Sequence, residues 1–254
     1  MRGRRVLEAA LVDAEPGPKY ANLPRAAGQT IDGVNRRGKF LILPLSAGDE
    51  LIIHLGMTGV LSPHRPGAHL RARLLLDPGP DPEVYFRDAR RFGRFLVVRA
   101  GDYRRLPTLA AMGPEPLSPA FDDQVFAQAL SRSELAVKTY LLSQKPVAGV
   151  GNIYADEALW RARIHPRTPA KRVRKDKVRP LRRAIQGVLR ESLALQGTTL
   201  HDYRTVNGEA GAFLGSLAVY GHAGEPCSRC GTPIEKFALA GRGTHLCPHC
   251  QRLP

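Results

Sequence analysis

Four cysteines are the clearest chemical signal in the chain. Cys227-Ser-Arg-Cys230 and Cys247-Pro-His-Cys250 form two C-x-x-C knuckles that hold every cysteine of the 254 residues. The sixteen residues between them match the spacing at which four thiolates close around one tetrahedral Zn²⁺. The intervening residues, from Gly231-Thr-Pro-Ile to Thr244-His-Leu, read as a short β-hairpin, so the unit is expected to be a zinc ribbon. Four sulfur ligands leave no open coordination position, which makes the one expected ion structural rather than catalytic. Two disulfides or four independent thiols are the competing readings; an opening without a secretory pattern favours metal.

Other groups are suited to contact a polyanion. Arg36-Arg37-Gly38-Lys39 precedes a strand, where Lys39 can meet a phosphate or exchange a proton. Gly149-Val-Gly-Asn152 opens a helix, and its backbone N–H groups with the Asn152 amide can hold a phosphate or simply make a tight turn. Arg242 lies between two glycines on the return limb of the ribbon hairpin. Met57, in a glycine-flanked turn, and Phe92, with Arg90 nearby in Asp88-Ala-Arg-Arg-Phe-Gly-Arg94, are either core side chains or exposed wedges. Exposed apolar wedges with arginine beside them can enter a duplex and unstack a base step.

The charge supports such a partner. Lys plus Arg number 38 against 23 acids, a net charge of +15, and the pI is about 10.3, which points to nucleic acid. From Arg161 to Arg183 there are eleven Lys or Arg residues and a single acid, Asp176; the segment is either a solvated face or a binding surface. No apolar run approaches the roughly 20 residues that span a bilayer. The expectation is a soluble, cytoplasmic, nucleoid-associated monomer with no membrane partner.

These groups need a scaffold. Strands are expected at Arg5-Val-Leu-Glu-Ala-Ala-Leu-Val, Lys39-Phe-Leu-Ile-Leu-Pro-Leu, Leu51-Ile-Ile-His-Leu, Arg71-Ala-Arg-Leu-Leu-Leu, Val84-Tyr-Phe and Arg94-Phe-Leu-Val-Val, with turns at Asp32-Gly33, Ala47-Gly48-Asp49 and Asp77-Pro-Gly-Pro-Asp-Pro. An antiparallel sandwich or barrel follows. A Pro-rich linker over 106–120 leads to four helices: one starting at Ser118-Pro119, one capped by Ser133 and running to Gln144, one opened by Asn152 and running to Arg163, and one from Asp176 to about Leu195. A glycine-rich loop over 207–213 precedes the ribbon, completing a multidomain α+β chain.

Read in order, Arg37-Gly-Lys-Phe, His54-Leu-Gly-Met-Thr-Gly, Asp88-Ala-Arg-Arg-Phe-Gly, Gly113-Pro-Glu-Pro-Leu-Ser, Gly149-Val-Gly-Asn-Ile-Tyr-Ala-Asp-Glu-Ala-Leu, Ile164-His-Pro, Gly197-Thr-Thr-Leu and the final knuckles resemble formamidopyrimidine-DNA glycosylase across nearly the whole chain. The Met and Arg-Arg-Phe positions resemble this family more than its relative endonuclease VIII, a glycosylase for oxidised pyrimidines. The resemblance implies a β-sandwich over 1–105, the 106–120 linker, a helix-two-turn-helix domain over 121–217 and a zinc ribbon over 218–254. It implies excision of oxidised purines such as 8-oxoguanine and formamidopyrimidines from damaged double-stranded DNA, followed by cleavage of the abasic site. Residue by residue, Lys39 and Arg242 match catalytic positions, and Met57, Arg90 and Phe92 match the trio that fills the gap left by the flipped nucleotide. Asn152 and Arg242 match phosphate clamps, His69 and Lys138 match positions that touch DNA, and the loop over 207–213 lies where the family covers the flipped base. His201 stands where relatives commonly have lysine.

The family begins with an N-terminal proline whose amine attacks the sugar C1′, and that residue has no counterpart after Met1-Arg-Gly-Arg-Arg. The expectation is a start upstream of Met1; the alternative is a non-catalytic binder of damaged or abasic DNA. An RNA-binding ribbon protein fits the charge but gives Met57 and Phe92 no task.

Overall fold

The computed structural model describes residues 1–197 and 211–253, which form two compact units, residues 1–110 and 111–254. The first unit is a sandwich of two antiparallel sheets. One sheet contains β1 (Val6–Leu11), β5 (Gly59–Ser62), β6 (Leu70–Leu76) and β7 (Glu83–Asp88) in the order β1-β6-β7-β5. The other contains β2 (Asn35–Arg37), β3 (Phe40–Leu45), β4 (Asp49–His54) and β8 (Arg94–Arg99) in the order β2-β3-β4-β8. Between them Leu43, Leu45, Leu51, Ile53, Leu74, Phe86, Phe95 and Val97 form one core, with the Phe86 and Phe95 rings stacked at 5.4 Å. Hydrophobic burial on this scale is the main force holding the sheets together.

Register decides what gathers at the end of the sandwich. Phe40 pairs with His54 and His54 with Arg94. The start of β3, the end of β4 and the start of β8 therefore meet, bringing Lys39, the Met57 turn and the Phe92 turn to one sheet end. In the other sheet Gly59 pairs with Asp88, so the β5 start and β7 end lie at the borders of the same two turns.

Two strands go beyond the sequence reading. β2 has three residues and β5 four, too short to show alternation, and each is held by a longer partner. The Pro-rich stretch also differs from a loose tether. Pro107–Ala110 forms a short helix α1 with Leu109 buried. Further on, Gly113 N–H donates to Gln144 O at 2.9 Å, Ala148 N–H to Pro114 O at 2.9 Å, and Gln186 Nε2 to Pro116 O at 2.8 Å.

The second unit holds α2 (Asp123–Ser131), α3 (Val137–Leu142), α4 (Asn152–Ala162) and α5 (Lys175–Ala194), then the hairpin β9 (Glu235–Leu239) and β10 (Arg242–Leu246). Helix starts differ from the expected ones. Asp122, not Ser118, caps α2, accepting the Val125 N–H at 2.8 Å. Ser133 Oγ accepts the Leu135 N–H at 3.3 Å in a turn ahead of α3, because the chain from Ser133 to Ala136 is drawn out to pair with Pro169. Gly151 rather than Asn152 occupies the cap of α4. On α5, Val178, Leu181, Ile185 and Val188 repeat at helical spacing and face the unit's core. No helix among the described residues is long and apolar enough to cross a membrane.

His54 couples the β4 end to its surroundings. Its ring lies 4.7 Å from that of Phe40 and its Nδ1 accepts the Gly56 N–H at 3.1 Å, beside Met57. Burial, then the charges of Lys39 and Arg94, lower its pKa from 6.5 to about 4. Between those values the unfolded chain binds a proton that the folded chain does not, so stability present above pH 6.5 is lost as the pH falls toward 4. Urea titrations should show a pH 7-to-4.5 loss that His54→Asn reduces by up to roughly 2–3 kcal/mol. An unchanged loss removes His54 from the acid response.

Candidate nucleic-acid interface

In the first unit the site is built on one buried carboxylate. Asp88, fully buried at the end of β7, accepts from Thr58 Oγ1 at 2.6 Å, from Gly93 N–H at 2.7 Å and from the Tyr20 hydroxyl at 3.5 Å. Thr58 in turn accepts the Arg90 N–H at 3.2 Å. One side chain thus binds the turn that carries Met57 to the turn that carries Arg90 and Phe92. The backbone of Asp88 is tied as well: its N–H donates to His69 O at 3.0 Å, and buried Arg71 Nε donates to its carbonyl at 2.9 Å. Burial and the charge of Asp88 push the Tyr20 pKa to about 12, so the phenol remains a donor.

Close backbone approach completes the frame. A Cβ on Gly56 would lie 2.7 Å from Phe92 C and Gly93 N, and one on Gly93 would lie 2.6 Å from Phe86 Cζ. Glycine is the only residue these two positions admit without movement. The result is that Met57 and Phe92 stand 57 % and 48 % exposed although both are large and apolar. Arg90 lies over the Phe92 ring at 5.2 Å, with Lys19 Nζ 5.6 Å from the ring centre. Lys39 is exposed at the mouth of β3 after Gly38, whose φ is 54°, and His69 is exposed at φ 61°.

In the second unit the ribbon is fastened to α4. The four cysteine sulfurs lie within 4.8 Å of one another, with none joined in a disulfide. This cluster fits a tetrahedral Zn²⁺, whose four sulfurs at ~2.3 Å from the metal would be ~3.8 Å apart. Two adjacent acids of α4, Asp156 and Glu157, are both fully buried. Glu157 accepts the N–H groups of Ala218, Val219 and Tyr220, each at 2.9 Å. Asp156 accepts the His245 N–H at 3.0 Å and pairs with Lys138 Nζ at 2.7 Å.

Lys138 is 1 % exposed. Its ammonium also donates to Gly243 O and Thr244 Oγ1, each at 2.8 Å, while Asn152 Nδ2 donates to the same Gly243 carbonyl at 3.0 Å. Lys138, the residue expected to touch DNA, has its charge turned inward against Asp156. Burial lowers its pKa and the Asp156 charge opposes that. Arg242 is exposed beside this knot, after a two-residue turn in which Ala240 and Gly241 have φ of 48° and 72°.

Several of these residues leave little trace in sequence. Asp88 reads as one acid among arginines, and Lys138 as one more cation. Gln144 reads as a helix end, yet its side chain shapes the turn before α4, accepting Gly149 N–H at 2.8 Å and donating to Val150 O at 2.8 Å. The legible sign is Asp156-Glu157 inside the otherwise apolar and aromatic stretch Ile153–Trp160, since buried acids require partners. His201 and most of the 207–213 loop lie outside the described residues.

Replacing Asp88 strands buried donors on both turns. Asp88→Ala is expected to cost about 3 kcal/mol of unfolding free energy, against under ~0.5 kcal/mol for exposed Arg87→Ala, read by urea denaturation. Equal costs would show that the network is incidental. Trp160 is the chain's single tryptophan. It packs with Cys227 and Cys247, with the Arg229 guanidinium 3.6 Å over its ring. Chelation should therefore shift its emission to longer wavelength, with added Zn²⁺ reversing the shift; unchanged emission on metal loss would exclude this packing.

Comparison with known proteins accounts for both halves. Residues 2–95 match the model of the formamidopyrimidine-DNA glycosylase N-terminal domain, residues 112–204 its H2TH domain, and residues 224–253 a zinc finger found in FPG and IleRS. The chain is 48 % identical over 248 residues to the formamidopyrimidine-DNA glycosylase of Deinococcus radiodurans, covering 92 % of this chain and 86 % of that protein. Among solved structures, MutM (Fpg) from Thermus thermophilus superposes with a TM-score of 0.89 at 46 % identity, covering 100 % of this chain and 93 % of that one. A complex of Lactococcus lactis Fpg with abasic-site DNA gives 0.82 at 33 %, covering 98 % and 93 %. With matches of this identity running through both units, the chain belongs to the formamidopyrimidine-DNA glycosylase family.

Proposed function

We propose that this protein finds oxidised purines such as 8-oxoguanine and formamidopyrimidines in duplex DNA, excises them and cleaves the abasic site that results. The observation that carries the reading is the pair of apolar side chains, Met57 and Phe92, held outside the core by the Asp88 network. Ordinary folding would bury them; keeping them out has a use when a duplex must be opened. Flipping a nucleotide costs a few kcal/mol of stacking and pairing, and Met57 and Phe92 offset it by filling the vacated space while Arg90 takes up unpaired acceptors.

The remaining residues divide the work. Lys39 takes the catalytic place at the lesion, and His69 contacts DNA. Asn152 and Arg242 hold phosphates as one clamp, a reading supported by the Asn152 bond to Gly243, the residue next to Arg242. Lys138 serves that clamp from behind by fixing Gly243 and Thr244. The zinc ion, when bound, supplies shape to a hairpin too small to keep it alone. Covalent chemistry in this reading needs a free amine at the sugar C1′, with Lys39 and Arg242 assisting proton transfer and strand cleavage.

The test is borohydride trapping on duplex carrying one 8-oxoguanine, using residues 1–254 and the same chain with whatever its reading frame encodes ahead of Met1. A covalent adduct and a cleaved strand from either form support the enzyme. Abasic-duplex binding with no product from both forms makes the protein a binder instead. Met57→Ala/Phe92→Ala should weaken lesion-duplex binding about tenfold or more, equivalent to about 1.4 kcal/mol, while barely changing binding to undamaged duplex.

A further inference from the structure

The densest charge in the chain surrounds a cavity that the lesion chemistry does not use. It has a volume of about 330 Å³, opens to solvent, and is lined by Arg163, Arg172, Arg174, Lys177 and Arg252, with Cys250 on its wall. None of its lining residues belongs to the Asn152–Arg242 clamp, and among the described residues no side-chain carboxylate lines it.

Pairing separates this cluster from much of the basic segment around it. Arg161 pairs with Glu191 at 2.6 Å, Lys171 with Glu134 at 2.5 Å, and Arg179 and Arg182 with Asp123 at 2.6 and 2.5 Å. In the cavity, Arg174 has Asp176 at 3.0 Å, but among the described residues Arg163, Arg172, Lys177 and Arg252 have no carboxylate partner. A zinc ion bound by four thiolates carries two net negative charges, which Arg229 over Trp160 also faces. Those two charges do not balance the cations of the lining. Like charges gathered round an open concavity raise the local concentration of anions, and a guanidinium matches phosphate oxygens with two parallel N–H bonds.

We propose that this cavity is a second phosphate-binding site, separate from the clamp at Asn152 and Arg242. Its ligand carries phosphate groups, either free, as in pyrophosphate, or in the backbone of duplex DNA away from the lesion. The free-anion form needs no DNA, so it stands or falls apart from the repair reading.

The experiment uses the zinc-loaded chain and the triple variant Arg172→Ser/Lys177→Ser/Arg252→Ser. A control, Lys175→Ser/Arg183→Ser/Arg190→Ser, removes the same charge outside the cavity lining. Circular dichroism and zinc content confirm that both fold. Pyrophosphate binding is read by calorimetry, and undamaged-duplex binding as a function of salt. A fivefold or larger loss of pyrophosphate affinity in the cavity variant but not the control assigns a free-anion site. A salt slope reduced by about two contacts, at roughly 0.9 per phosphate, in the cavity variant alone assigns backbone phosphate. Pyrophosphate failing to bind with slopes unchanged, or equal losses in both variants, overturns the proposal.

Discussion

A carboxylate taken out of water must find donors inside the protein, and three fully buried acids, Asp88, Asp156 and Glu157, impose that condition here. Asp88 meets it by bonding to both turns at the end of the sandwich. Asp156 and Glu157 meet it by recruiting the segment that leads into and through the ribbon. In each case an isolated charge would cost several kcal/mol, and satisfying it dictates where neighbouring backbone runs. The exposed side chains of Met57, Arg90, Phe92 and Arg242 sit close to these anchors or to residues bonded to them, so their placement is inherited rather than independently specified.

The two units reach this result by different means. The sandwich has a large apolar core, and its candidate interface residues occur where strand register ends. The ribbon has almost no core of its own: Cys227, Ile234 and Cys247 gather against Trp160 and Val219. Thiolate–metal bonds and polar contacts to α4 take over the work that burial does elsewhere, as expected of a hairpin this small.

What is legible in the chain follows the same division. Alternating strands, the turn glycines, the 3.6-residue repeat of α5 and the cysteine spacing are local signals, and the elements they imply are present. β2 and β5 leave no such signal, being defined by partners remote in the chain. Helix starts depart from their local caps where long-range pairing competes, as at Ser133. Lys138 looks like any surface cation, because its burial depends on Asp156 and the ribbon, which no local pattern reports. Asp88 is hidden for a similar reason: its meaning lies in Thr58 and Tyr20, 30 and 68 residues away.

The buried Lys138 also constrains how the second unit is assembled. Two of its partners, Gly243 O and Thr244 Oγ1, lie 105 and 106 residues further along the chain. Until that stretch has emerged and turned back, the ammonium and Asp156 keep their water, and the α3–α4 packing that would bury them is incomplete. Contacts of such long sequence separation are entropically late events in folding. Closure of the helical unit and docking of the hairpin are therefore coupled through one side chain, and a chain interrupted before β10 leaves the Lys138 ammonium with Asp156 but without its Gly243 and Thr244 acceptors.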